Sequence, residues 1–317
     1  MYESIWRFCI KRIITLPFIL FGISIVTFIF IRFVPVEPAE VILRMSRIAP
    51  TEEAIQALRA ELGTDKPLYI QYFIWLVGVI QLDFGTSFVS KLPVAQEIFS
   101  KLPATIELAF AAFMFIIICS IPLGVISATY RNSIVDKIIS FLSILSVSIP
   151  TFWLGFLLIY IFSLKFGLFP TNGRGGLSHI ILPAVALALP VIGLFTQVIR
   201  TSVIEELQNA YVQYARLRGL KNSTILIQHV LKNAAIPMIT MLGMTLGNLL
   251  GGAVIVEQVF SWPGIGRYLI ESIINRDYPV VQSYVLIIAI IYVMANLFTD
   301  VLHRLIDPYL AGMEERE

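Results

Sequence analysis

Charged residues are scarce in this sequence of 317 residues, making up 14% of it where soluble proteins carry about 25%. Hydrophobic residues make up 57%, and the mean hydropathy is +0.84. Too few polar side chains remain to cover a soluble domain, so we predict a membrane protein. The formal net charge of +2 lacks the basic excess that suits nucleic acid, and we expect no nucleic-acid partner. The two cysteines, Cys9 and Cys119, are too few for a disulfide framework.

Long uncharged runs are what the sequence has instead. A helix needs about 20 mostly apolar residues to cross the hydrocarbon of a bilayer. Runs of that length predict six transmembrane helices, at residues 13–31, 108–130, 138–164, 180–199, 234–256 and 278–299. A seventh run, residues 68–82, is shorter and contains Gln71 and Gln81, so we predict an interfacial or packed helix there. The predicted fold is an all-α membrane protein.

The distribution of lysine and arginine predicts the orientation. With six spans, the side that holds both termini and the connection 200–234 carries twelve of these residues, and the short loops opposite carry four. Basic residues favour the cytoplasmic side, so both termini are expected there. The first span could instead be a cleaved signal peptide. We predict a retained helix, because Pro17 interrupts the run and Arg32 follows where a small-residue cleavage site belongs.

The spans divide the chain into four predicted parts. Residues 1–33 form an N-terminal cytoplasmic segment with the first helix, and residues 34–103 form a long external segment. Residues 104–303 form a five-helix core containing the connection 200–234, and residues 304–317 form a cytoplasmic tail. Within the external segment, Thr51 is expected to cap a short helix that ends before Gly63.

The connection 200–234 holds an informative pattern. If residues 211–219 are helical, Tyr211, Ala215 and Gly219 lie on one face at four-residue intervals, and Arg216 and Arg218 flank it. Such a small-residue face could seat closely in the groove of a partner protein. It could equally belong to an amphipathic connector that lies on anionic lipid.

Five motifs, in order and at matching intervals, carry a resemblance that covers nearly the whole chain. The motifs are LPATIEL (102–108), ARLRGL (215–220), HVLKNAAIP (229–237), VFSWPGIG (259–266) and RDYP (276–279). This set resembles permease subunits of binding-protein-dependent ABC importers of the peptide/nickel branch, and residues 215–237 resemble their EAA loop. The spacing from Gly219 to Pro237 is longer than in the general EAA motif, and Gln213 stands where its glutamate would be.

The resemblance implies a type I importer permease fold in the cytoplasmic membrane of a bacterium or archaeon. It implies a second, homologous permease subunit, two cytoplasmic ABC ATPases and an extracytoplasmic substrate-binding protein as partners. The connection 200–234 becomes a coupling loop, in which Tyr211, Ala215, Arg216, Arg218 and Gly219 meet an ATPase. The implied substrate is nickel, in chelated form, because the loop and motif pattern look closest to nickel permeases. A dipeptide or oligopeptide is the alternative.

The chain itself is not expected to be an enzyme or to hold a cofactor. Its nearest phosphate-loop lookalike, residues 219–224, lacks the opening glycine pattern and a lysine directly before serine or threonine. ATP and magnesium are therefore expected in the partner ATPases. The three histidines, His179, His229 and His303, fall in different parts of the predicted topology and cannot share one ion. Met238, Met241 and Met244 are expected to fill the core and not to bind a metal.

The fifth span has a face without side chains. Gly243, Gly247 and Gly251 recur at four-residue intervals and permit a close helix contact, either within the chain or at a subunit seam. Asn248 lies in the same span and is a candidate for the transport pathway.

The external loop 257–279 is the last candidate site. Trp262, Gly264 and Gly266 permit a tight, packed turn, and Arg276 and Asp277 follow a short helix. We expect this loop to form part of the outer gate and to contact the binding protein, with a purely structural lid as the alternative. Glu107 is expected to cap a helix that begins near Pro103, in preference to lining an outer vestibule.

A secondary transporter and a channel are the two alternative classes of membrane protein. A secondary transporter should show repeated halves and charged or broken helices near the midplane, and neither is evident in the sequence. A channel should show a filter-like loop or a ring of charge, and none appears. Neither class accounts for the pattern in the connection 200–234.

Overall fold

The computed structural model describes residues 2–32, 38–46 and 48–306. Within these ranges the chain is helical and contains no β-strand, only an isolated bridge between Thr86 and Pro93. The helices are α1 (Tyr2–Arg32), α2 (Pro38–Met45), α3 (Glu52–Leu62), α4 (Leu68–Ile80), α5 (Val94–Thr129), α6 (Ile134–Ser148), α7 (Thr151–Leu158), α8 (Leu177–Leu207), α9 (Ala210–Leu217), α10 (Asn222–Thr224), α11 (Leu231–Val259), α12 (Ile265–Ile274) and α13 (Tyr278–Ile306). Two π-helical segments, Ile159–Lys165 and Ile225–Val230, extend α7 and join α10 to α11.

The predicted spans all fall on apolar helical segments. Three helical stretches are long and apolar enough to cross a bilayer alone: α5, α8 and the segment Tyr278–Leu297 of α13. Two bent pairs bring the number of candidate spans to as many as five. The remaining predicted span falls on a shorter apolar segment, Ile14–Phe30 of α1. The all-helical fold is therefore confirmed, and six spans are compatible with it.

The third predicted span is bent. Helix α6 ends at Ser148, and α7 starts at Thr151 with its axis turned by 108°. Between them Ile149 is extended, with φ −84° and ψ 125°. Pro150 explains this break, because proline disfavours the helical conformation in the residue before it and has no amide proton to donate. Residues 138–164 thus belong to two helical segments set at a sharp angle and not to one straight helix.

Helix α8 lies at the centre of the core. It packs against α5, α6 and α11, and its Phe195 and Ile199 are fully buried. Small residues allow these close crossings: a β-carbon on Gly124 of α5 would come within 2.6 Å of Ile199, and one on Gly193 would meet Ser143 and Ser146 of α6. The α5–α8 pair is therefore closely packed, and α6 and α11 pack against the same helix α8.

The segment 38–103 adds short helices to this core. Thr51 accepts a hydrogen bond from the Ala54 amide and caps α3, which ends at Gly63 with φ 67°, so both predicted helix boundaries are confirmed. Helix α4 packs on α1, where the Tyr72 hydroxyl lies 2.8 Å from that of Ser24. Its predicted packing as a short helix is thus observed.

Candidate functional site

Helix α9 lies between α8 and α11, and we call this end of the bundle, predicted to be cytoplasmic, the α9 end. The shared face of Tyr211, Ala215 and Gly219 was predicted on the condition that residues 211–219 are helical, but α9 ends at Leu217. Gly219 has φ +78°, the left-handed conformation that glycine adopts without steric cost, and the Leu220 amide bonds back to the Ala215 carbonyl at 3.2 Å. Gly219 therefore terminates the helix, and its predicted place on a shared face with Tyr211 and Ala215 was wrong.

The inward face of α9 is occupied by the chain itself. Val212 and Ala215 are buried in the main core. The Tyr211 hydroxyl donates to Glu206 Oε2 at 2.6 Å and accepts from Asn233 Nδ2 at 3.2 Å. Burial, together with the Glu206 carboxylate, raises the pKa of Tyr211, so the phenol keeps its proton. Tyr211 and Ala215 thus anchor α9 to its own subunit, which corrects the prediction that they seat directly on a partner.

The outward face of α9 is apolar at its centre and basic at its margin. Tyr214 and Leu217, three residues apart, are 65% and 87% exposed. Arg216 and Arg218 are exposed beside them. Tyr214 and Leu217 were not among the predicted site residues, although two large apolar side chains next to arginines were a signal in the sequence. These four side chains define what we call the α9 outward face.

The structure also contains an ion pair whose carboxylate is buried. Arg200 near the end of α8 donates to both carboxylate oxygens of Asp136, at 2.6 and 2.9 Å. Ser127 Oγ and the Asn132 amide donate to the same carboxylate at 2.6 and 2.9 Å. The pair ties the α5–α6 turn to α8. It was missed because Asp136 and Arg200 simply border two uncharged runs, and nothing in the sequence shows that they meet.

The glycines of α11 take two different roles. A β-carbon on Gly243 would overlap Thr299 of α13, and one on Gly247 would lie 2.8 Å from the Tyr292 ring. Both glycines therefore serve a close contact within the chain. Gly251 is exposed, and a β-carbon there would meet nothing within 4 Å.

A cavity of about 770 Å³ lies beside Gly251, between α1, α11 and α13. Its lining is mainly apolar, with amides from Asn248 and Asn296 and rings from Tyr284 and Tyr292. Asn248 is exposed toward this space. The arrangement can accept a solute that carries both apolar and amide groups.

At the opposite end, which we call the α12 end, the loop 257–279 is tightly packed. Trp262 is fully buried, and its Nε1 donates to the Ala104 carbonyl at 2.8 Å. The Arg267 amide donates at 2.9 Å to Glu257, another fully buried residue. A β-carbon on Gly264 would overlap the Glu257 side chain, and one on Gly266 would lie 2.7 Å from Val254. The tight packed turn predicted from the glycines is present, and Glu257 is the group around which it closes.

Arg276 and Asp277 do not act alike. Arg276 is exposed, in a left-handed conformation with φ 57°. Asp277 is buried, and its carboxylate accepts from Ser87 Oγ at 2.5 Å and from the Phe88 amide at 3.0 Å. Asp277 therefore holds the loop before α5, and its side chain is not presented to a partner.

Glu107 does not cap a helix. Helix α5 begins at Val94, well before the predicted start near Pro103, so Glu107 lies in its interior. Its carboxylate instead accepts from Arg174 Nε at 2.8 Å. Proline near a helix start misled the sequence prediction, because a proline inside a helix is also tolerated when neighbouring groups satisfy the freed carbonyl.

The candidate metal ligands do not converge in the part of the chain that the structure describes. No group of three or more His, Cys, Asp or Glu side chains comes close enough to hold an ion there. Met238 is buried in the main core and Met241 packs against it. The side chains of Met244 and His303 lie outside the described set.

Comparison with known proteins gives two matching family models. Residues 120–312 match the model described as binding-protein-dependent transport system inner membrane component, and residues 5–109 match the N-terminal model of the same system. The chain is 37% identical over 302 residues to the glutathione transport system permease protein GsiC of Escherichia coli K12, covering 95% of this chain and 98% of the relative. The Shigella flexneri GsiC protein is 36% identical over the same length.

A solved structure shows the same fold. An inward-facing structure of the MetNI methionine ABC transporter contains a chain that superposes with a TM-score of 0.56 at 17% identity. The match covers 67% of this chain and 97% of that one. A second crystal form of MetNI gives the same TM-score at 19% identity.

Proposed function

Because this chain belongs to the family of inner membrane components of binding-protein-dependent transport systems, we infer its function from that family. The resemblance seen in the sequence is thereby confirmed. The chain is a multi-pass permease subunit of an ABC importer, a non-catalytic membrane component that works with ATPase and substrate-binding partners.

We propose that the α9 outward face is the surface on which a cytoplasmic ATPase docks. Tyr214 and Leu217 supply apolar contact, and Arg216 and Arg218 supply charge at the margin. The observation that carries the proposal is the two-sided helix: its inner residues Tyr211 and Ala215 are fixed to the subunit, so force on the outer side chains is passed through Tyr211 to α8 and α11. Gly219 ends the helix and sets the direction of the chain that follows.

We propose a short peptide as the substrate. The GsiC relatives, named for glutathione transport, support a peptide-type solute, whereas nickel was favoured by the sequence motifs alone. Asn248 supports the same proposal, because its amide lies in a mainly apolar cavity near Gly251, where peptide groups could find hydrogen bonds. Gly243 and Gly247 keep α11 against α13 and so define one wall of that cavity.

We propose that α12 belongs to the outer gate and meets the binding protein. Ile273, Ile274 and Arg276 are exposed on it or directly after it and are available for contact. Trp262, Gly264, Gly266 and Asp277 are buried, and their role is to hold α12 in place.

The docking proposal is tested by placing a charge on the apolar part of the α9 outward face. Leu217→Asp should remove the ATPase from the purified complex and abolish uptake, because a carboxylate would have to be buried against the partner. Leu177→Asp is the matched control, since Leu177 is as exposed as Leu217 but lies at the start of α8 at the α12 end. Normal ATPase recovery with Leu217→Asp would overturn the docking proposal.

The substrate proposal is tested in the same complex. Vesicles containing the complete transporter and its binding protein should take up labelled glutathione or a dipeptide in the presence of ATP. Asn248→Leu should lower that uptake while leaving ATPase recovery unchanged. Uptake of nickel that unlabelled peptides do not compete with would overturn the peptide proposal in favour of nickel.

A further inference from the structure

Glu257 is a fully buried carboxyl group in the last turns of α11. Its Oε1 accepts from the Thr105 hydroxyl of α5 at 2.5 Å, and its Oε2 accepts from the Arg267 amide at 2.9 Å. The Gly266 amide also donates to this carboxyl group. The Arg267 side chain turns away, to Glu271 and the Ser261 carbonyl, so the carboxyl group is held by hydrogen bonds alone.

Hydrogen bonds with other helices cap the N-terminus of α12. The Ile265 amide donates to Thr105 Oγ1 at 2.9 Å, and the next two amides of α12 donate to Glu257. The first amides of a helix have no partner within the helix, and Gly264 at the cap position has no side chain to offer. The cap of α12 is therefore supplied by two other helices, α5 and α11.

The glycines on either side of Ile265 make this possible. A β-carbon at Gly264 would occupy the space of the Glu257 carboxyl group, and one at Gly266 would lie 2.9 Å from Glu257 Oε2. The turn can close only because both positions are bare. Burying the Glu257 carboxyl group costs free energy that an apolar side chain would not cost. We therefore attribute to Glu257 the orientation of α12, which its hydrogen bonds fix, and not a gain in packing.

Helix α11 reaches from this cap to the ATPase-docking region. The chain is helical from Asn222 to Val259, with a bend of 47° near Pro237. At about 1.5 Å per residue this path is on the order of 55 Å long, enough to cross the bilayer. Its other end is bonded to α9 through Asn233 and Tyr211. One continuous element thus carries the α9 contact at one end and Glu257 at the other.

We propose that Glu257 and Thr105 are the positioning residues that transmit movement of α11 to α12. Nucleotide-driven motion at the α9 end then moves α12 at the opposite end. The proposal rests on the proposed function of α9 as the ATPase-docking helix. Thr105 joins α12 to α5, and Glu257 joins α12 to α11, the helix whose other end contacts α9. Displacement of α11 relative to α5 must then rotate or release α12.

The test compares two isosteric changes with one conservative change. Thr105→Val removes the hydroxyl that joins Glu257 to Ile265, Thr105→Ser keeps it, and Glu257→Gln replaces one acceptor oxygen by a donor. Each variant is made in the full transporter, free of Cys9 and Cys119, with spin labels at Ile274→Cys in α12 and Phe110→Cys in α5. The measurements are the label-to-label distance with and without trapped ATP, and the ATPase rate with and without binding protein.

The wild-type distance should change on trapping ATP, and Thr105→Ser should preserve this change. Thr105→Val and Glu257→Gln should abolish the change and lower binding-protein-stimulated ATPase activity by about tenfold, with basal activity retained, as expected for one lost buried hydrogen bond. Because the Thr105→Val transporter could fail to assemble, Glu257→Gln provides an independent test of the same hydrogen bond between α5 and α11.

Three results would overturn the proposal. If both isosteric variants lower only the melting temperature and keep the distance change, the cap is structural. If the wild-type distance does not respond to ATP in a complex that transports, α12 is not driven by α11 and the proposed function of α9 stands. If the wild-type chain binds no ATPase at all, both proposals fall together.

Discussion

Arg200 and Asp136 form a two-point ion pair across 64 residues of sequence, with Arg200 Nε 2.6 Å from one carboxylate oxygen and Nη2 2.9 Å from the other. Asp136 is almost fully buried, while part of Arg200 remains exposed. Two further hydrogen bonds, from Ser127 and Asn132, satisfy the carboxylate. Because a bidentate pair with a fully hydrogen-bonded carboxylate fixes orientation, this contact sets how the start of α6 lies against α8.

Breaking this pair should destabilise the subunit. Asp136→Asn leaves the Arg200 guanidinium without its charged partner, and we expect a loss of about 1–3 kcal/mol, less than for a fully buried pair because Arg200 is partly exposed. Thermal unfolding of the detergent-purified protein measures it. Glu40→Gln, in an exposed pair with Arg44, is the control and should cost under about 1 kcal/mol. Equal melting temperatures for both variants would contradict this prediction.

Substitutions at Gly219 distinguish two explanations of how this residue supports ATPase docking. If its role is the left-handed backbone at φ +78°, Gly219→Ala and Gly219→Trp should weaken ATPase recovery alike, by about fivefold, because nothing lies within 4 Å of the added β-carbon. Gly219→Asn should be milder, since asparagine tolerates this conformation. The close-contact interpretation drawn from the sequence expects only the bulky Trp to fail. Quantitative copurification of the ATPase with each variant decides between them.

Hydropathy predicted the positions of the long apolar helices and of the short helix α4, because the length of an apolar run that crosses a membrane is set by the bilayer itself. The helix boundaries at Thr51 and Gly63 were also predictable from local chemistry. The face on which α9 is buried was not, because it depends on where Glu206 and Asn233 lie in space. Residue types placed Gly264 and Gly266 in a tight turn, but only the fold shows that Glu257 fills it.

The orientation of the chain gives a prediction of its own. In a background without Cys9 and Cys119, an impermeant thiol reagent added to intact cells should label Ser178→Cys and not Asn222→Cys, because lysine and arginine are concentrated around the latter. Both positions are exposed, so accessibility within the protein does not separate them. Permeabilised cells should label both. Labelling of Asn222→Cys in intact cells would reverse the topology and remove α9 from the ATPase side.

Asp277 and its neighbour Arg276 give the last prediction. Asp277→Ala leaves the Ser87 hydroxyl and the Phe88 amide without an acceptor, at a cost of about 1–3 kcal/mol. The loop before α5, which contains Ser87 and Phe88, should then open more often. Trypsin added to spheroplasts should then cut after Lys91, which is exposed, about tenfold faster than in wild type. Arg276→Gly should not accelerate this cleavage, because it only relieves the left-handed backbone at φ 57°. Equal cleavage rates for Asp277→Ala and wild type would show that the carboxylate does not hold this loop.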